Sequence, residues 1–204
     1  MEVVTDPIRE IGARSITTAG GAEHEVDTIV LATGFQVTDS PAMDRIHGRG
    51  GRSLAEAWAE DGSQAYLGTT VAGFPNLFLM AGPNTGIGHT SRVFMEEAQV
   101  SHLLGALRAM ERRGLAAVEP RPEVQEAFND EVQRRMRRTV WTTGGCASWY
   151  LDAQGRNTTL WPDFTRKYHL RTRRFDPGDY QLVPRREPVG APPVGTERVG
   201  AEPD

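Results

Sequence analysis

Leu77-Phe78-Leu79-Met80-Ala81 runs directly into Gly82-Pro83-Asn84-Thr85-Gly86-Ile87-Gly88, and then into a helix-length segment from about Ser91 to Arg113. That order constrains the fold more than any other stretch. It predicts a buried strand, a turn whose glycines let backbone approach a ligand, and a helix whose free N–H groups and positive end face that turn. On the helix, Val100, Leu103, Leu104, Leu107 and Met110 fall at three- and four-residue steps and predict one apolar stripe. Gly114 is placed to end the helix as a C-cap. The same order also suits a plain loop joining strand to helix, and the residues alone leave both readings open.

A second run, Val26-Asp27-Thr28-Ile29-Val30-Leu31-Ala32, is apolar and β-branched on both faces and ends at Thr33-Gly34, the pattern of a buried parallel strand. Before it, Ala19-Gly20-Gly21-Ala22 predicts a hairpin turn. Residues 36–70 are rich in glycine and read as irregular, with a helical turn at Leu54 to Ala59. Pro122 opens another helix at its first position, with Val124, Phe128, Val132, Met136 and Val140 as a stripe at steps of four. The segment 141–184 is aromatic-rich and reads as irregular. Beyond about Arg186, proline, glycine and charge predict a disordered tail. The expected divisions are 1–37, 38–70, 71–114, 115–185 and 186–204.

Composition narrows the function classes. A net charge of −4 gives no overall pull on phosphate, so no nucleic-acid partner is expected. No run approaches the roughly 18 to 20 apolar residues of a membrane span. The first residues lack a basic region followed by an apolar core, so no signal peptide is expected. Cys146 is the only cysteine, which excludes an intramolecular disulfide and argues against a metal site. A cytoplasmic location is the expectation. His89 at the helix start suits a packed or hydrogen-bonding role beside a ligand, and Glu96 and Glu97 suit the helix dipole. Trp149-Tyr150, with Asn157 and Trp161, either line a pocket for a ring-bearing ligand or pack as loop residues on the core. The basic stretch Arg166, Lys167, Arg171, Arg173 and Arg174 reads as a solvated face.

Taken together, these segments resemble the flavin-containing monooxygenases, and most closely their Baeyer–Villiger branch. Val26 to Phe35 looks like the "ATG" strand of that superfamily, at the seam between its NADPH and FAD domains. Tyr66-Leu67-Gly68 with Gly73-Phe74-Pro75-Asn76-Leu77-Phe78 is similar to the approach to the last FAD-domain strand. Ala81-Gly82-Pro83 and the helix after it look like the segment closing over the isoalloxazine. Ser148-Trp149-Tyr150 resembles a C-terminal motif whose tryptophan lies near the nicotinamide cofactor. The resemblance covers residues 1 to about 183, and the motifs in this order are specific where any one alone is not.

The resemblance implies an α/β fold, a partial two-dinucleotide-binding-domain (Rossmann-like) flavoprotein with a helical C-terminal region. It implies FAD and NADP as cofactors, with Gly82, Pro83, Asn84, Thr85 and Gly86 nearest the flavin and Trp149 nearest NADP. It implies a monooxygenase that puts one oxygen atom of O2 into a small ketone, amine or sulfide. The departures are as informative. Neither G-x-G-x-x-G phosphate loop of the family is in the sequence, nor is the F-x-G-x-x-x-H-x-x-x-W-P fingerprint. The arginine that Baeyer–Villiger enzymes hold beside the flavin has no counterpart, so no residue is assigned a catalytic role. Met1 therefore reads as an internal start in a longer frame or the remains of a split gene. The expectation is a chain inactive alone; the alternative is a non-catalytic remnant, or an accessory subunit completing the FAD domain of a partner chain. The disulfide reductases of the same superfold fit poorly: they need Gly-Asp where Gly82-Pro83 stands, and a cysteine pair.

Overall fold

The computed structural model describes residues 3–32, 40–86, 88, 91–144, 148–152 and 154–185. Thr33-Gly34-Phe35, Ile87, His89, Cys146 and the tail from 186 lie outside the described residues. The chain divides into two compact units, residues 1–35 and 36–204.

The first unit is an antiparallel meander of β1 (Ile8–Ile11), β2 (Ser15–Thr18) and β3 (Glu23–Glu25). The hairpin turn falls where the glycines predict it. Thr18 N–H donates to Ala22 O at 2.9 Å, and Gly21 supplies a φ of 86°. The buried parallel strand expected at 26–32 does not form. A strand exists only through backbone pairing. Val26 N–H donates to Arg14 O at 2.9 Å, and beyond it no described residue pairs with this run. Val30 and Leu31 are consequently 83% and 77% exposed.

The second unit opens with two 3-10 turns (Met43–Arg45 and Arg49–Gly51) and the short helix α1 (Leu54–Trp58). Ser53 and Glu56 close a capping box on α1, each side chain bonding the other's backbone N–H. The helix α2 (Arg92–Arg113) starts on the Ser91 hydroxyl, which accepts from Phe94 N, and stops at Gly114 in the left-handed region, φ 61°. The strand β4 (Leu115–Pro120) follows at once. Then comes α3 (Pro122–Met136), with proline in its first turn and Phe128, Val132 and Met136 buried as its stripe predicts. Val140 lies beyond the end of α3, in α4 (Val140–Thr143), and is exposed. The segment 141–184 is more regular than its sequence suggests: it holds α5 (Thr165–Thr172) and β5 (Tyr180–Pro184), and β5 pairs antiparallel with β4.

The stripe expected on α2 faces the core only in part: Leu103 and Met110 are half-buried, Met110 against Leu115, Val118 and Tyr180. The buried face is Met95, Ala98, Gln99, His102, Ala106 and Ala109, whereas Val100, Leu104 and Leu107 are exposed. Three alanines make that face thin, which lets α2 lie close on α5 and β4. Val100, Leu104 and Leu107 are left on the outer side.

The strand expected at 77–81 is reduced to a single bridge between Phe78 and Thr70. Left-handed residues bracket it: Asn76 at φ 61° and Ala81 at φ 56° turn the chain out of the extended region at both ends. Asn76 is clipped to β4, its side chain donating to Ala116 O at 3.0 Å and accepting from Val118 N at 3.1 Å. One core cluster joins Leu67, Met95, Ala98, Phe128, Val132, Trp161 and Tyr168; a second gathers Leu54, Ala65, Val71 and Phe74. No helix among the described residues is long and apolar enough to cross a membrane.

Candidate functional site

The glycine turn forms one wall of a cavity of about 390 Å³. Leu79, Met80, Ala81, Gly82, Pro83 and Gly86 line it on that side, Trp149 and Tyr150 on another, and Met43, Trp58 and Leu160 complete the apolar lining. A smaller cavity of about 290 Å³ shares Met43, Trp58, Ser63 and Thr158 with it.

The glycines of the turn are explained by close packing inside the protein. A Cβ on Gly82 would fall on the Gly68 carbonyl oxygen; one on Gly68 would sit 2.5 Å from Pro83 O and against Thr85 Cγ2. The two turns thus meet backbone to backbone. Gly86 continues this on the other side: its N–H donates to Thr159 O at 2.8 Å, its carbonyl accepts from Trp161 N at 2.7 Å, and a Cβ there would lie 2.8 Å from Thr159 O.

Of the six residues singled out from sequence, Gly82, Pro83, Gly86 and Trp149 line the cavity. The side chains of Asn84 and Thr85 are engaged elsewhere. Asn84, at φ 54° and buried, donates to Asn157 O at 2.8 Å and to Leu160 O at 2.9 Å. The Thr85 hydroxyl donates to Gly82 O at 2.7 Å. Both therefore hold the shape of the turn.

Trp149 and Tyr150 lie 4.3 Å apart between ring centroids with their planes tilted by 52°, and Trp141 meets Tyr150 edge-on at 5.9 Å. Trp149 remains 43% exposed, with ring surface free to cover a ligand. Asn157 and Trp161 take the packing role: both are buried, and Asn157 Oδ1 accepts from Leu160 N at 2.9 Å. In the basic stretch, Arg171 is tied to Glu131 at 2.6 Å and Lys167 to Asp163 at 2.8 Å, which pulls the carboxyls of Glu131 and Asp163 below their usual range.

Arg92 is the one charged side chain lining the larger cavity among the described residues, and it is paired with Glu96 at 2.9 Å. No acid, histidine or cysteine of the described residues lines that cavity. The arrangement can bind and shield a planar ring and offer a cation near it. Sequence reasoning missed Met43, Trp58 and Arg92. Met43 and Trp58 come from a stretch without periodicity, and the only signal for Arg92 was its place beside the helix cap Ser91.

No family model matches the chain. A Baeyer-Villiger monooxygenase of Pseudomonas aeruginosa is 48% identical over 182 residues, which is 89% of this chain and 34% of that protein. A Baeyer-Villiger monooxygenase of Streptomyces coelicolor is 46% identical over 193 residues, 94% of this chain and 37% of that protein. The chain is related to the Baeyer–Villiger monooxygenases. Solved structures agree: steroid monooxygenase bound to NADP superposes with a TM-score of 0.67 at 29% identity, covering 88% of this chain and 34% of that one. Cyclohexanone monooxygenase from Rhodococcus sp. Phi1 bound to NADP+ gives 0.66 at 27% identity, with the same coverage. The α/β fold is thus that of these monooxygenases over the matched part, and the chain spans about a third of the length of the curated relatives it matches.

Proposed function

We propose that this chain supplies the cofactor-facing wall of an FAD- and NADPH-dependent monooxygenase that places one oxygen atom of O2 in a small organic substrate such as a ketone, amine or sulfide. The observation that carries the reading is the cavity walled by the Gly82, Pro83 and Gly86 backbone on one side and by Trp149 on the other, in a chain 48% identical to a Baeyer-Villiger monooxygenase. The residues present fit a planar ring: a backbone wall on one side, aromatic side chains on another, and Arg92 as the one charged side chain among the described lining residues. Gly82, Pro83 and Gly86 would lie against the flavin, and Trp149 would cover the nicotinamide cofactor. When bound, the flavin accepts electrons from NADPH and activates O2. The chain's share is to orient the rings and exclude water from between them. Neither G-x-G-x-x-G loop occurs in these 204 residues, so the cofactor phosphates would be held by polypeptide outside them.

The exposed aliphatics on α2 suit cover by such polypeptide, whether it belongs to the same chain or is brought by a partner chain. Either way, the purified chain alone is expected not to consume NADPH. Titration with FAD tests the site directly: close aromatic faces should quench flavin fluorescence, and Trp149→Ala should remove part of the quench. NADPH consumption by the chain alone would contradict the reading, as would flavin emission unchanged by the wild-type chain at concentrations high enough to fill a site that holds only the ring.

A further inference from the structure

A glutamine in the middle of a long helix belongs on its solvent face, because burying a primary amide is costly unless its hydrogen-bonding groups are met. Gln99 is completely buried. Its Oε1 accepts from Ala81 N at 3.0 Å. Its Nε2 lies 3.0 Å from Gly68 O, 3.0 Å from Thr69 Oγ1 and 3.3 Å from Leu79 O. The orientation of the amide is forced: Ala81 N–H can only donate, and the two carbonyls can only accept. The Thr69 hydroxyl gives its own proton to Leu67 O at 3.0 Å, so it presents a lone pair to Gln99. Two N–H groups thus serve three acceptors, one of them shared.

All of these partners belong to the two turns that meet at the Gly68–Gly82 contact. Each turn holds a left-handed residue that is not glycine, Leu67 at φ 53° and Ala81 at φ 56°. Such a conformation needs outside support. Leu79, Ala81 and Gly82 also line the larger cavity. We propose that Gln99 is the positioning residue of this cavity: its carboxamide fixes both turns to α2 and sets the backbone wall against which the ring of a bound cofactor lies. The inference rests on the reading of the cavity given above. No other side chain does the same. Glutamate would set an oxygen against two carbonyls, asparagine is one methylene short, and methionine fills the space without bonding.

The test uses the whole chain as wild type, Gln99→Met and Gln99→Glu, with FAD as the probe. Hydrogen exchange is followed in a peptide spanning the 79–82 turn and in α3, which makes no hydrogen bond to Gln99. For Gln99→Met, exchange at Ala81 should rise about tenfold or more, the loss expected for one net hydrogen bond. Protection in α3 should stay as in the wild type, and FAD quenching should weaken. Unchanged exchange at Ala81, or an equal loss throughout α3, would overturn the proposal. Should Gln99→Met fail to fold, Gln99→Glu decides: exchange at Ala81 should quicken as pH rises and the carboxyl ionises against Gly68 O and Leu79 O, and a pattern that follows only the intrinsic pH dependence of exchange would overturn it. A wild-type chain that leaves FAD emission untouched at those same high concentrations, with the exchange pattern as expected, would remove the cofactor reading and leave Gln99 as the tie of the two turns.

Discussion

Gly68 and Gly114 share a φ of 61°, but their surroundings differ completely. A Cβ at Gly114 would meet nothing within 4 Å, whereas one at Gly68 would meet Pro83 O at 2.5 Å and Thr85 Cγ2. Alanine at either position suffers the left-handed penalty, about 1 kcal/mol. At Gly68 it must also push apart two backbones, and overpacking of this kind adds about 1–3 kcal/mol. The expectation is a loss of about 1 kcal/mol for Gly114→Ala and about 3 kcal/mol for Gly68→Ala. For a chain of this size that is about 3 °C against about 9 °C in Tm. Thermal and urea unfolding followed by far-UV circular dichroism measures both. The contrast cancels the shared backbone cost, so equal losses would refute the claim that the turns are packed backbone to backbone.

Burial holds the His102 imidazole below its ordinary 6.5, with Nε2 2.8 Å from Tyr180 Oη and Nδ1 3.2 Å from Thr172 O. The folded state therefore refuses a proton that the unfolded chain accepts. Stability should fall as pH drops through 6.5 and level off below the folded value. The shifted carboxyls of Glu131 and Asp163 act only below their ordinary 4.5 and 3.8, which leaves a clear window above them. Urea midpoints across that window should slope in the wild type and flatten in His102→Gln. Asn84→Ala removes two buried hydrogen bonds and should cost about 2–3 kcal/mol, read as a lower urea midpoint; a loss below about 0.5 kcal/mol would mean the turn holds its shape without that side chain.

Local rules were legible wherever a single residue type settles a single geometry. Ser91 and Gly114 bound α2, Pro122 opens α3, and Gly20-Gly21 turns the β2–β3 hairpin, each for a reason contained within a few residues. What the sequence hid depends on partners far along the chain. Two apolar runs read as strands, but 26–32 finds no described backbone to pair with beyond Val26, and 77–81 is pinned at both ends by left-handed residues. The α2 periodicity showed where the large aliphatics lie but not that alanines, Gln99 and His102 make the inner face. β4 and β5 escaped notice because each is short and exists through the other. In the site, the glycine spacing suggested clearance for a ligand, yet Gly68, Gly82 and Gly86 are each needed to clear protein backbone.

The partnership of β4 with β5 also orders events during synthesis. Tyr180 Oη meets both His102 and Thr70, and Tyr66 Oη donates to Asp179 at 2.7 Å. His102 and Tyr180 are separated by 78 residues. At about 5–20 residues per second, the imidazole waits roughly 4–16 s for its partner to be made. During that interval α2 can form and Gln99 can already tie the two turns, since those partners lie upstream of it. The far half of α2 stays open until the last strand arrives. The nascent chain is therefore expected to assemble its cavity wall first and to seal the polar layer beneath β4 last, so a ribosome stalled before Tyr180 would display an ordered turn on an unclosed helix.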